Sequence, residues 1–232
     1  MAEPFRNEKV LLGGKPVKKE RISNNVIRRL PMYLRKLDDL IYHGVDRISS
    51  GELGKQMGLT PSQIRQDFSC FGEFGQQGYG YRVTDLRDQV AGILGMHKGF
   101  TVAIVGVGNL GHALIGNFGF EEQGFRLVAA FDSDPEIYGN DIAGIPVYDS
   151  GTLSDWLKRN PTDIVVLTVP RRIAKSMAET VVDCGVRGIW NFTNIELELG
   201  RQDVRVENIH FSDSLQTLGY FLSEQENMEK SK

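Results

Sequence analysis

The sequence predicts two domains in series, an N-terminal winged helix-turn-helix domain and a C-terminal α/β domain of Rossmann type with a further helix at its end. Three observations lead there. Helical spacing of apolar residues fills the first third of the chain, with two short helices separated by a glycine turn. From Phe100 onward, short fully apolar runs alternate with amphipathic ones, the texture of a parallel sheet covered on both faces. The first of those strands runs into a glycine-rich turn that opens a helix.

In the first third, Ser23 is the N-cap of a helix carrying Val26, Ile27, Leu30, Leu34, Leu37, Leu40 and Ile41. It ends near Tyr42 or His43, before Gly44. Pro31 lies inside it and is expected to bend or interrupt it, because its ring clashes with the preceding turn and it lacks an amide. A second helix opens at Ser50 and runs through Met57 to Gly58. Thr60 caps a third, with Pro61 at its first position and Gln63 completing a capping box. Helix, tight turn, helix is the spacing of a helix-turn-helix unit. The glycine- and aromatic-rich segment from Gly72 to Val83 reads as an attached hairpin or wing.

In the remainder, Leu86 to Leu94 is read as a linking helix. Strands are expected at Thr101–Val105, Phe125–Phe131, Ile164–Val169, Gly188–Phe192 and Val204–Asn208. Helices are expected from Leu110 to Asn117, from Ile173 to Cys184 and from Asp213 to Leu222, followed by a charged, frayed tail. The domain boundaries are a flexible arm (1–20), the DNA-binding domain (21–84), a linker helix (85–99), the Rossmann domain (100–211), a C-terminal helix (212–223) and a tail (224–232).

Composition narrows the classes. The 232 residues are 41% hydrophobic and 25% charged, so wholesale disorder is excluded. The longest apolar runs are too short to cross a bilayer, and Met1-Ala2-Glu3-Pro4 does not open a secretory signal, so a cytoplasmic location is expected. Cys70 and Cys184, the only cysteines, form neither a metal motif nor a disulfide framework and read as reduced thiols. Through Val83 the chain has 14 Lys plus Arg against 9 Asp plus Glu, and thereafter 13 against 21. Only the front part therefore carries the charge that a polyanion attracts.

Gly106-Val107-Gly108-Asn109-Leu110-Gly111 matches the dinucleotide fingerprint between strand and helix. Gly106 permits the turn, Gly108 leaves room for the pyrophosphate, and Gly111 lets the helix approach the sheet. Asp132, at the end of the next strand, is placed to accept the ribose hydroxyls and to repel a ribose phosphate, which favours NAD(H) over NADP(H). Topology puts Thr168, Val169 and Pro170, and then Asn191 and Phe192, at the same strand ends. A dehydrogenase would add a general acid or base. His112 lies on the phosphate-binding helix and His210 has no acidic partner spaced to orient it, so no catalytic set is assembled and the chain is read as a regulator.

On the third helix, Ser62, Gln63, Arg65, Gln66 and Ser69 face outward, while Ile64 and Phe68 face the core. Glutamine is suited to adenine edges and arginine to guanine edges. Arg28, Arg29, Arg35 and Lys36 on the first helix are candidates for phosphates. Gln76, Gln77, Gly78 and Tyr79 sit in the wing, where a minor groove is within reach.

The run from Ser62 to Tyr81, together with Val105–Gly111 and Ala130–Asp132, resembles the bacterial redox-sensing repressors of the Rex family. Arg29–Leu34, Leu167–Pro170, Gly188–Phe192 and Val206–Phe211 extend the resemblance over about Ile22 to Leu222. It implies a homodimer that binds an inverted-repeat operator in double-stranded DNA without cofactor or with NAD+, and that NADH releases. It further implies a last helix exchanged between subunits, Phe211 approaching the nicotinamide across the dimer, and Arg65 in the major groove. This sequence departs from the pattern at Gln66 and Gln77, where many relatives carry a basic residue, and at Asn194, where proline is common. Asn117 and His210 replace a tyrosine and an aspartate that, with an arginine matched by Arg35, form a ligand-sensitive network in some relatives. Two rival classes remain: a dehydrogenase with a basic appendage, and an NAD(H)-dependent scaffold whose basic domain meets proteins.

Overall fold

The computed structural model describes residues 22–72, 74 and 79–230, which divide into compact units between His97 and Lys98. The expected arm, Gln76, Gln77 and Gly78 lie outside the described residues.

The first unit begins with α1 (Asn24–Tyr42), capped by the Ser23 hydroxyl, and buries Val26, Leu30, Tyr33, Leu34, Leu37 and Leu40 along one face. Pro31 neither splits nor ends it. The carbonyl that the missing amide would have served belongs to Ile27, which is 46% exposed, so the lost bond falls on the solvent side of the helix. Strand β1 (Arg47–Ile48) leads to α2 (Ser50–Met57), where Ser49 and Glu52 form a reciprocal capping box. Helix α3 (Pro61–Ser69) follows, its Gln63 amide bonded to the Thr60 hydroxyl. The capping box thus stands one helix earlier than expected, since among the described contacts Gln63 makes no return bond to Thr60.

Strand β2 (Tyr81–Arg82) pairs antiparallel with β1, so the base of the wing is a ladder to a strand absent from the sequence reading. Helix α4 (Val83–Ile93) is no free linker. Its Val83, Leu86, Val90 and Ala91 are buried in the same core as α1. Phe68 is the hub of that core, with ring centroids 4.8 Å from Tyr33, 5.5 Å from Phe74 and 5.5 Å from Tyr81.

The second unit is a sheet between two layers of helices. In chain order it comprises β3 (Phe100–Val105), α5 (Asn109–Asn117), β4 (Phe125–Asp132), β5 (Asp141–Ile142), β6 (Ile145–Asp149), α6 (Leu153–Arg159), β7 (Ile164–Leu167), α7 (Arg171–Asp183), β8 (Gly188–Asn191), β9 (Arg205–Asn208) and α8 (Phe211–Lys230). The strand order is β5-β6-β4-β3-β7-β8-β9, parallel except at the β5–β6 pair. Strand alternation explains its two cores. Ala103, Val105, Phe131 and Leu167 face α6 and α7, while Val102, Ile104, Ala130 and Val166 face α5.

The chain proceeds from β3 through β4 to one edge, then crosses back to β7 and builds the other half. The order therefore reverses between β3 and β7, where an open α/β sheet forms its ligand crevice. Helix α8 runs past the expected end at Leu222 to Lys230, so residues 223–230 are helical and not a frayed tail. None of its residues is buried, and Phe211, Leu215, Leu218 and Leu222 repeat at helical spacing along its exposed surface.

Candidate functional site

Two sites emerge, one in each unit. At the sheet reversal, Gly106 has φ +95°, and its amide donates to the Phe131 carbonyl at 2.8 Å, tying the turn to β4. A Cβ on Gly106 would approach the Thr168 backbone to 2.8 Å, and one on Gly111 would collide with the Gly106 carbonyl oxygen. These glycines are demanded by the fold itself. Gly108 differs: it is the N-cap of α5, makes no side-chain cap, and a Cβ there would meet nothing within 4 Å. The exposed amides at the start of α5 thus face open space with the positive end of the helix dipole behind them, the arrangement that receives a phosphate.

Asp132 closes the turn. Its Oδ2 accepts the Val107 amide at 2.5 Å and its Oδ1 accepts the Asp134 amide at 2.9 Å. Each carboxylate oxygen keeps a further lone pair for a ribose hydroxyl. Across the reversal, the Thr168 hydroxyl donates to the Gly106 carbonyl at 2.6 Å, so the two loops are stitched together directly. Asn109 and Pro170 are exposed and Leu110 is half-buried around this crevice, whereas the Val107 and Val169 side chains point into the cores and leave only backbone to a ligand.

Asn191 is a correction. It is 1% exposed, its amide donates to the Ile195 carbonyl and Asn208 Oδ1 at 2.7 Å each, and its oxygen accepts the Thr193 amide and hydroxyl. All its hydrogen-bonding capacity is used inside the protein, so its side chain has none left for a cofactor. Phe192 is chiefly a core ring, 4.6 Å from Trp190, but its centroid lies 5.8 Å from that of Phe211, which is 56% exposed.

His210 is the second correction. Its Nε2 lies 3.0 Å from Glu196 Oε1, an acidic partner that the sequence reading missed. Among the described residues no group of His, Cys, Asp and Glu is arranged to hold a metal.

In the first unit, Ser62, Arg65, Gln66 and Ser69 are exposed on one face of α3, and Gln63 is half-buried. Arg65 is held outward by the hydroxyls of Ser50 at 2.9 Å and Ser62 at 3.2 Å, neutral partners that leave its charge available. Tyr79 is exposed.

Arg29 is placed differently from the expectation. It grips buried Asp67 with two bonds of 2.6 and 2.7 Å, and the Tyr33 hydroxyl donates to the same carboxylate at 2.7 Å. The hydrogen bond to Asp67 raises the Arg29 pKa, and burial, then Asp67, raises that of Tyr33, so the guanidinium keeps its charge and the phenol its proton. Its work is to fasten α3 to α1, which sets the angle at which Arg65 is offered. Sequence reasoning also missed Arg47 and Arg82, exposed and directly opposite each other across the β1–β2 ladder. Arg82, at the end of the glycine-rich segment, offered a signal there; Arg47, which lies before α2, offered none.

Both units are similar to known proteins. Residues 21–69 match the family described as putative DNA-binding protein N-terminus, and residues 97–195 match the family described as CoA binding domain. The redox-sensing transcriptional repressor Rex of Caldicellulosiruptor saccharolyticus is 50% identical over 207 residues, covering 89% of this chain and 94% of that protein. The Rex protein of Clostridium tetani is 47% identical over 90% of this chain and 99% of its own length. Among solved structures, that of RSP with β-NAD+ and operator DNA has 45% identity and a TM-score of 0.83, covering 91% of this chain and 97% of that one. That of RSP with β-NADH has 42% identity and a TM-score of 0.84, covering 92% of this chain and 100% of that one.

Proposed function

The chain belongs to the Rex family of redox-sensing transcriptional repressors, and from that premise we propose that it represses transcription as a homodimer on an inverted-repeat DNA operator and is released by NADH. The observation that carries the reading is one chain holding both an outward-facing Arg65 on a fastened helix and an open Gly108 crevice at a sheet reversal. It acts in the cytoplasm, where both DNA and the NADH pool are found. Among the described residues no helix is long and apolar enough to cross a membrane.

Gly106, Gly108, Asn109, Leu110 and Gly111 receive the pyrophosphate, with backbone help from Val107, and Asp132 takes the adenosine ribose. Thr168, Val169 and Pro170 line the way to the nicotinamide, where Phe192 and Phe211 supply an apolar contact. Reduced nicotinamide is neutral and enters such a contact readily; the oxidised ring is cationic and resists desolvation. NADH thereby favours one dimer arrangement over another, and only that difference in affinity drives the switch.

Exchange of α8 between subunits covers its exposed apolar residues. On the DNA, Ser62, Gln63, Arg65 and Gln66 enter the major groove, and Tyr79 with the wing lies alongside. The two recognition helices must fit grooves about one helical turn apart, a match that dimer closure removes.

The chain is a regulator without turnover, and the Glu196–His210 pair is given no catalytic role. Operator binding titrated with NADH over a fixed background of NAD+ tests the reading: progressive release is expected, and equal grip at every ratio would overturn it. Sustained NADH consumption with small carbonyl compounds would instead establish a reductase.

A further inference from the structure

Glu196 stands in the loop between β8 and β9, and His210 is the last residue before α8. Glu196 uses both oxygens: Oε1 meets His210 Nε2 at 3.0 Å, and Oε2 accepts Asn208 Nδ2 at 2.6 Å. Asn208 Oδ1 in turn accepts Asn191 Nδ2 at 2.7 Å and the Leu197 amide at 3.2 Å. A continuous path of hydrogen bonds thus runs from buried Asn191, at the end of β8, to His210 at the threshold of α8. The next residue is Phe211, at the carboxyl edge of the sheet against Phe192.

We infer that Glu196 is a positioning residue: by holding His210 it fixes the peptide from which Phe211 is presented, and it holds more firmly when the imidazole is protonated. The inference rests on the reading of Phe211 as a nicotinamide contact. A neutral imidazole gives Glu196 an ordinary hydrogen bond; an imidazolium gives a charge-assisted one, roughly twice as strong. Proton uptake by the imidazole therefore tightens the grip and proton loss loosens it. Among the described contacts, the charged group on the His210 ring is Glu196 from the loop, and Asp213 of α8 donates its amide to the His210 carbonyl at 3.3 Å.

The consequence is that seating of the reduced nicotinamide improves as pH falls, so that the cofactor response carries a second input. The test is NADH affinity of the full-length protein, read by the fluorescence of bound NADH at roughly pH 6 and roughly pH 8. His112, at the start of α5, is a second histidine beside the cofactor crevice, so the contrast between proteins decides the matter. The unaltered chain is expected to bind NADH more tightly at the lower pH, and Glu196→Gln to lose about two- to fivefold of that difference, the scale of an exposed ion pair. His210→Gln should lose the same share, and the double variant no more than either. A Glu196→Gln profile that parallels the unaltered one would overturn the positioning role while leaving the cofactor site standing. No NADH binding by the unaltered protein at either pH would remove the cofactor reading, and the inference with it.

Discussion

At the scale of single residues, the same side-chain type does different work according to its partner. Arg29 and Arg65 are both near the recognition face, but one is bound to a buried carboxylate and the other to two hydroxyls. Arg65→Ala should therefore weaken operator binding by about 1–3 kcal/mol and scrambled DNA much less, in titrations at matched salt. An equal loss on both would make Arg65 a phosphate contact. Gly108→Ala should fold normally, because its φ of −64° suits alanine and its Cβ meets no atom, yet lose most NADH affinity as the methyl enters the phosphate space. Thermal unfolding with and without NADH separates the two effects. Burial pushes the Asp163 carboxyl up, but the Thr101 amide and hydroxyl and the Arg187 guanidinium outweigh it and hold the carboxyl below its usual range. A depressed folded pKa gives stability that is complete above the unfolded value, about 3.9, and lost as pH falls through the folded one. Asp163→Asn should cost about 1–2 kcal/mol at neutral pH, a gap in denaturation midpoint that closes once the medium is acid enough to protonate the parent. The glycine turn and Asp132 were legible in the sequence because their signal is local. Arg29 was not, since Asp67 lies 38 positions away, and Asn191 was not, since its bonds come from a loop fold around Thr193 and Ile195 and from Asn208, 17 positions away.

At the scale of elements, long periodic segments were readable and short ones were not. The strands β3, β4, β7 and β8 and the helices α3, α5 and α7 fall within a few residues of expectation, because a continuous apolar run or a capped amphipathic stripe leaves little choice. The β5–β6 hairpin was missed. Its two-residue loop is Ala143-Gly144, with φ +50° and +82°, where the usual signal would be Asn-Gly. Alanine in that left-handed conformation is strained, so Ala143→Asn should raise the unfolding free energy by about 0.5–1 kcal/mol, measured by denaturant titration. Helix α1 shows the opposite error. A proline was expected to bend or interrupt a helix that continues with Ile27 and Pro31 on its exposed side, and exposure is invisible in a periodicity count.

At the scale of the whole molecule, the exposed apolar stripe of α8 is the surface that the proposed dimer would cover. Leu215→Ser with Leu218→Ser should shift the protein from dimer to monomer in sedimentation and abolish operator binding while leaving the sheet unit folded. An unchanged dimer would place the interface elsewhere. The charge division between the front and back of the chain pointed correctly to which part would resemble a DNA-binding family, but no pattern in the sequence alone shows how the halves are mounted. The stitch from Thr168 to Gly106 carries one more consequence. On the proposed reading, that half of the crevice is tied together by the fold's own bonds, so the adenosine end is gripped alike whatever the oxidation state of the other end. The two forms then displace each other, and at saturation a rise or fall in the total pool cancels. What the chromosome receives is a quotient, indifferent to how rich or starved the cell is in dinucleotide.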